Sequence, residues 1–184
     1  MESIKVKDIM IPLEDYATVS EDATLAEAVL ALEEAQGHFD KTRYKHRAVL
    51  VYDKNKKIVG KLSQLDVLNA LEPKYQSTGD ISELDQFGIK QEDIRKLIDD
   101  FGLLKKPLED ICRKAADIKV KNIMYTPTSG EYVSEKASLN EAVLQLLLGR
   151  HQSLLVTRGS EIVGILRLTD VFKKITDRIK ACQI

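Results

Sequence analysis

Cysteine is nearly missing from this sequence: Cys112 and Cys182 are the only two among 184 residues, and they form no CxxC pair. That scarcity argues against a disulfide framework or a thiolate zinc site and fits a reducing compartment, so a cytoplasmic location is expected. No apolar run approaches the ~20 residues needed to span a bilayer. The opening MESIKVKDIM lacks the apolar core of a signal peptide, so a soluble chain without a membrane partner is expected. Aromatic residues are few, six Tyr and four Phe, and 28 basic residues nearly cancel 29 acidic ones. Stacking and electrostatic material for nucleic acid is therefore short, and no nucleic-acid partner is expected. The sequence contains no Walker P-loop, GxGxxG, HExxH or GxSxG. Its three histidines, His38, His46 and His151, never fall three or four residues apart. No enzyme activity, metal site or required cofactor is expected. With only nine Gly and four Pro against 43% hydrophobic residues, the chain reads as globular throughout.

What is present is a repeat. Sliding the sequence by 114 positions lays VKDIM (6–10) on VKNIM (120–124) and VSEDATLAEAVLAL (19–32) on VSEKASLNEAVLQL (133–146). Over 6–32, 14 of 27 aligned pairs are identical, where ordinary residue frequencies give about one or two. Farther on, the offset falls to 105, pairing His46 with His151, and then to 104, pairing IVGKL (58–62) with IVGIL (162–166). The first copy thus carries nine extra residues near GHFDKTRYK (37–45) and one more in its hairpin.

Each copy reads as a βαββα unit. Thr24-Leu-Ala-Glu27 and Ser138-Leu-Asn-Glu141 have capping-box spacing, and the apolar residues that follow recur at helical intervals. Gly37 and Gly149 suit the helix ends. Two β-branched runs around a turn then predict a hairpin, 48–52 with 58–62 and 154–157 with 162–166. A second amphipathic helix follows, carrying Leu65, Leu68 and Leu71 or Val171, Phe172 and Ile175. A unit of roughly 60 residues buries too little surface alone, so the copies are expected to pack together. The predicted organisation is copy one over 1–71, a helical insert over 72–118, and copy two over 119–184. The insert, net −3, reads as a linker folded onto the pair, or else as a docking surface or lid.

Chemistry concentrates where each hairpin enters its second helix, at Ser63-Gln-Leu-Asp66 and Arg167-Leu-Thr-Asp170. A helix N-terminus presents free N–H groups and partial positive charge that suit phosphate, and a nearby carboxylate can accept hydrogen bonds from vicinal hydroxyls. A nucleotide carries both groups. Ser63-x-x-Asp66 is also a plain capping box that stabilises a helix by ~0.3–1 kcal/mol without any ligand. Lys45, His46, Arg47 and Lys61 supply positive charge for a polyphosphate, or simply a solvated strand end.

The order of capped helix, IVG hairpin and S/T-x-x-D helix, present twice, resembles a tandem pair of cystathionine β-synthase (CBS) domains, the Bateman module. The resemblance covers about three quarters of the chain. It implies an α+β fold of two CBS-type repeats packed about a pseudo-twofold axis, with the helical insert between them. It also implies a regulatory module binding AMP, ADP, ATP or another adenosyl ligand such as S-adenosylmethionine. That module acts on a separate, unidentified protein and assembles as a homodimer; the alternative is a ligand-free dimerisation or docking scaffold. On the family pattern, Asp66 binds ribose and Ser63 phosphate, with Met10, Ile11, Pro12, Thr18 and Val19 on the adenine side. In copy two, Asp170 is kept and Arg167 replaces the hydroxyl, either to pair with a phosphate or to project into the cleft and block it; Tyr125 and Tyr132 match Ile11 and Thr18, either to stack on a base or to fill the pocket. The implied outcome is one good site and one doubtful one.

Overall fold

The computed structural model describes residues 4–38, 42–71, 96 and 108–182. Copy one forms β1 (Ile11–Pro12), β2 (Thr18–Ser20), α1 (Leu25–His38), β3 (Ala48–Tyr52), β4 (Ile58–Ser63) and α2 (Gln64–Leu71). The described end of the insert is α3 (Leu108–Asp117); apart from position 96, residues 72–107 of the predicted helical insert lie outside the described residues. Copy two forms β5 (Tyr132–Ser134), α4 (Leu139–Gly149), β6 (Ser153–Arg158), β7 (Glu161–Arg167) and α5 (Leu168–Ala181). None of the described helices is long and apolar enough to cross a membrane.

Local chemistry sets the helix boundaries. The Glu27 and Glu141 carboxylates accept from the backbone N–H of Thr24 and Ser138, both at 2.6 Å, and each cap hydroxyl accepts from the backbone N–H three residues on. At the end of α4 the left-handed residue is Arg150 (φ 51°), one position beyond the Gly149 that sequence favoured. The apolar stripe of α2 also differs from expectation. Val67, Ala70 and Leu71 face the core, while Leu65 and Leu68 are exposed.

One sheet has the order β2-β3-β4, the other β1-β7-β6-β5. In β3, Val49 and Val51 point into the core of copy one, beside Leu25, Ala28 and Leu62, while Leu50 points the other way, toward Ile11, Tyr16, Leu155 and Ile165. Strand β6 repeats this with Leu154 and Val156 inward and Leu155 central. Each sheet is covered by helices on one face and by the other copy on its opposite face, so its middle strand is apolar at consecutive positions. Full burial of each such side chain contributes about 1.5–3 kcal/mol.

The copies also exchange their opening segments. Val6 belongs to the core of copy two and Val120 to that of copy one. The Val6 and Lys7 N–H groups donate to the carbonyls of Ala137 and Glu135, as those of Val120 and Lys121 do to Ala23 and Glu21. Strand β1 pairs antiparallel with β7, Ile11 opposite Ile165, while Tyr125 pairs with Lys61 of β4. These reciprocal contacts give the pair its pseudo-twofold symmetry. The glycine of each IVG motif permits the close approach. A Cβ on Gly164 would lie 2.4 Å from the Ile11 carbonyl oxygen, and one on Gly60 would lie 2.6 Å from the Met124 sulfur and 3.2 Å from the Tyr125 carbonyl oxygen.

Candidate functional site

At the entry of α2, the backbone N–H and hydroxyl of Ser63 both donate to Asp66 Oδ2 at 2.7 Å, and the Asp66 N–H returns a bond of 3.2 Å to the hydroxyl. Asp66 Oδ1 accepts no hydrogen bond among the described residues, and Asp66 lines a cavity of about 590 Å³. Asn69 of α2, Asp117, and Asn122, Ile123 and Met124 of the exchanged segment share the lining. The volume falls within the range of small-molecule sites. Arg47 is exposed, and its carbonyl accepts from the Gln64 N–H at 3.0 Å, which fixes its backbone at the mouth of the helix.

The exchange changes which residues meet. Asp66 is accompanied by Ile123 and Met124 of copy two's opening segment, whereas Met10, Ile11 and Pro12 run along β7 in copy two's cleft. Ile11 and Val19 are buried in the cores, and Thr18 pairs with Leu50 inside the first sheet. Tyr132 lies in β5, beyond β6 from the exchanged segment.

Tyr125 and Lys61 adjoin the first cleft through their backbone pairing, and the Lys61 ammonium stands 5.0 Å from the Tyr125 ring centre. Lys61 is already ion-paired with Glu131, which also accepts from the Tyr125 hydroxyl and from the Thr128 N–H at 3.1 Å. Burial works to raise the Glu131 pKa, but Lys61 and the other donors outweigh it and hold the carboxyl below its usual range. Glu131 escaped the sequence reading, although Thr128-x-x-Glu131 has capping-box spacing.

The second cleft is built from the same elements but filled differently. Arg167 donates to both oxygens of Asp170, Nε to Oδ2 at 2.6 Å and Nη2 to Oδ1 at 2.8 Å. Its Nη1 donates to the Tyr44 carbonyl at 2.8 Å and lies 3.3 Å from His46 Nδ1. Arg43 Nη2 is 3.1 Å from both Asp170 Oδ1 and the Ile9 carbonyl oxygen. Arg43 was missed as well; the only signal was the extra length of copy one around it.

His46 therefore belongs to this second cluster. Burial, then the Arg167 charge, lower its pKa to about 4. It is neutral at pH 7 and supplies no charge for a phosphate, so its expected role there is corrected. Its ring meets that of Tyr16 edge-on at 4.4 Å, and burial pushes the Tyr16 hydroxyl up to about 12.

Comparison with known proteins agrees with this architecture. Among curated proteins none matches the chain. Solved structures do. The CBS domain of a CBS domain containing membrane protein from Sphaerobacter thermophilus is 19% identical, with a TM-score of 0.63 over 94% of this chain and 88% of that one. CBSX2 in complex with AMP is 22% identical, with a TM-score of 0.59 over 97% and 99%. The CBS domain of a bacterial CNNM/CorC family Mg2+ transporter in complex with ATP is 17% identical, with a TM-score of 0.60 over 95% and 89%. At these identities the likeness concerns the fold. The family model for the CBS domain matches residues 6–73 and again 116–177. With both repeats matched over more than half of its length, the chain belongs to the CBS domain family, as a tandem pair.

Proposed function

We propose that this chain is a regulatory module that binds an adenine nucleotide, AMP, ADP or ATP, in the cleft at Asp66 and passes its occupancy to a separate cytoplasmic protein. The observation that carries this reading is that Asp66, whose Oδ1 accepts no hydrogen bond among the described residues, lines a cavity of about 590 Å³ beside the N-terminus of α2. Asp66 Oδ1 accepts from the ribose hydroxyls, the Ser63 hydroxyl and the first turn of α2 receive phosphate, and Ile123, Met124 and Tyr125 flank the base. Exposed Arg47, whose carbonyl accepts from the Gln64 N–H at the start of α2, adds positive charge at the entry. The AMP and ATP complexes of CBSX2 and the CNNM/CorC protein support the ligand class.

Exposed Leu144, Leu147 and Leu148 on α4, Phe172 and Ile179 on α5, and Leu65 and Leu68 on α2 support a homodimer joined through helices. Sedimentation of the full chain across a hundredfold concentration range reads this directly; a monomer throughout removes it.

One observation favours a second reading. The Ser63–Asp66 pair closes on itself as a complete helix cap, which a ligand-free docking scaffold also needs. Calorimetric titration with AMP, ADP, ATP and S-adenosylmethionine, repeated on Asp66→Asn, separates the two. The nucleotide reading expects binding that weakens tenfold or more in Asp66→Asn, a loss of about 1.4 kcal/mol. Absence of binding by all four ligands leaves the scaffold.

A further inference from the structure

The two clefts are related by the pseudo-twofold axis, so each group in one has a partner in the other: Asp66 corresponds to Asp170, and Ile123 to Ile9. In the first cleft, Asp66 and Ile123 both line the open cavity. In the second, the equivalent carboxylate and the Ile9 carbonyl are bridged by a single nitrogen, Arg43 Nη2, at 3.1 Å to each. Arg167 takes both oxygens of that carboxylate, and the Asp170 side chain is only 3% exposed. A ribose would have to displace two guanidinium groups that bind the carboxylate through charge-assisted hydrogen bonds.

The plug comes from the length difference between the copies. Arg43 and Tyr44 lie in the stretch where copy one is nine residues longer, and this stretch crosses to the β7–α5 junction of copy two. Copy two lacks that stretch and so has nothing equivalent to send into the first cleft. We infer that Arg43, with Arg167, fills the second cleft in place of a ligand, latching the copies together and leaving one nucleotide site per chain. The inference rests on the proposed nucleotide reading for its stoichiometry, but not for the latch.

Two measurements on the full chain test it. ATP titration of the unmodified protein is expected to give one site per chain, and Arg43→Ala combined with Arg167→Ser, which restores the Ser-x-x-Asp pattern, is expected to give two. Two sites before substitution, or one site after it in a variant that still unfolds in a single transition, overturn the inference. A urea-unfolding cycle of Arg43→Ala, Asp170→Asn and their combination reads the latch without any ligand. The combined midpoint shift is expected to be clearly smaller than the two single shifts taken together, and additive shifts overturn the latch. Should no variant bind ATP, the nucleotide reading fails, and this cycle alone decides the latch.

Discussion

Substituting the glycine of each IVG motif probes the segment exchange directly. In Gly164→Ala the new Cβ would meet the Ile11 carbonyl oxygen at 2.4 Å and its carbon at 3.2 Å. Both are backbone atoms held in the β1–β7 ladder, and the Ile11 side chain is fully buried, so no flexible group can swing aside. Relief requires moving β1. Overpacking of this kind costs about 1–3 kcal/mol, and each ladder hydrogen bond weakened adds about 1 kcal/mol, giving about 2–4 kcal/mol in all. With a urea slope of about 2 kcal/mol per molar, the midpoint falls by about 1–2 M. Gly60→Ala should cost less, because its 2.6 Å clash is with the tip of the Met124 side chain and the Tyr125 carbonyl lies at 3.2 Å. Met124 also lines the cavity, so this variant should lose nucleotide affinity out of proportion to stability. Gly37, inside α1 with nothing within 4 Å, is the control. Gly37→Ala should stabilise by about 0.5–1 kcal/mol. If Gly164→Ala unfolds at the urea midpoint of the unmodified chain, the exchange does not hold the copies together as described.

Lys61→Met should destabilise by about 2–4 kcal/mol, because it leaves the buried Glu131 carboxylate without its cation. The deficit measured by urea unfolding should shrink as pH falls, since protonating Glu131 removes the uncompensated charge; a pH-independent deficit contradicts the ion-pair account. His46 gives the opposite kind of signal in the unmodified protein. Its folded pKa of about 4 lies below the usual 6.5, so the unfolded chain takes up the proton first. Stability is untouched above pH 6.5 and declines between 6.5 and 4, by up to about 1.4 kcal/mol per pH unit. His46→Gln should flatten that decline, and an unchanged slope would mean that another group titrates there.

Much of the fold was legible because its signals are local. Capping boxes, hairpin turns and helical spacing each lie within a few residues, and duplication printed them twice. The exchange of opening segments was not legible in the same way, since VKDIM and VKNIM stand beside their own helices in sequence and nothing in their composition names the partner. The IVG glycines carry the trace, but a strand glycine alone does not say whose backbone approaches it. The same exchange explains why Asp66 and Ser63 can be read within one copy, while the Asn122, Ile123 and Met124 that share the cavity lining with Asp66 cannot. Leu65 and Leu68 read as a buried stripe because periodicity reports an apolar face without saying what lies opposite. Arg167 could be read as pairing with a phosphate or as projecting into the cleft and blocking it; sequence could not show that its fork grips the aspartate three residues away.

The reciprocal opening segments also bear on how such a chain could arise. A single unduplicated unit would carry a segment that fills another unit's core and a core that waits for another unit's segment. Such a peptide could complete itself only by trading ends with a second molecule of its own kind. Joining two of them head to tail would turn a concentration-dependent trade into an intramolecular one without changing a contact. Once joined, the halves were free to diverge, and here a longer stretch in one became the stopper in the other's cleft.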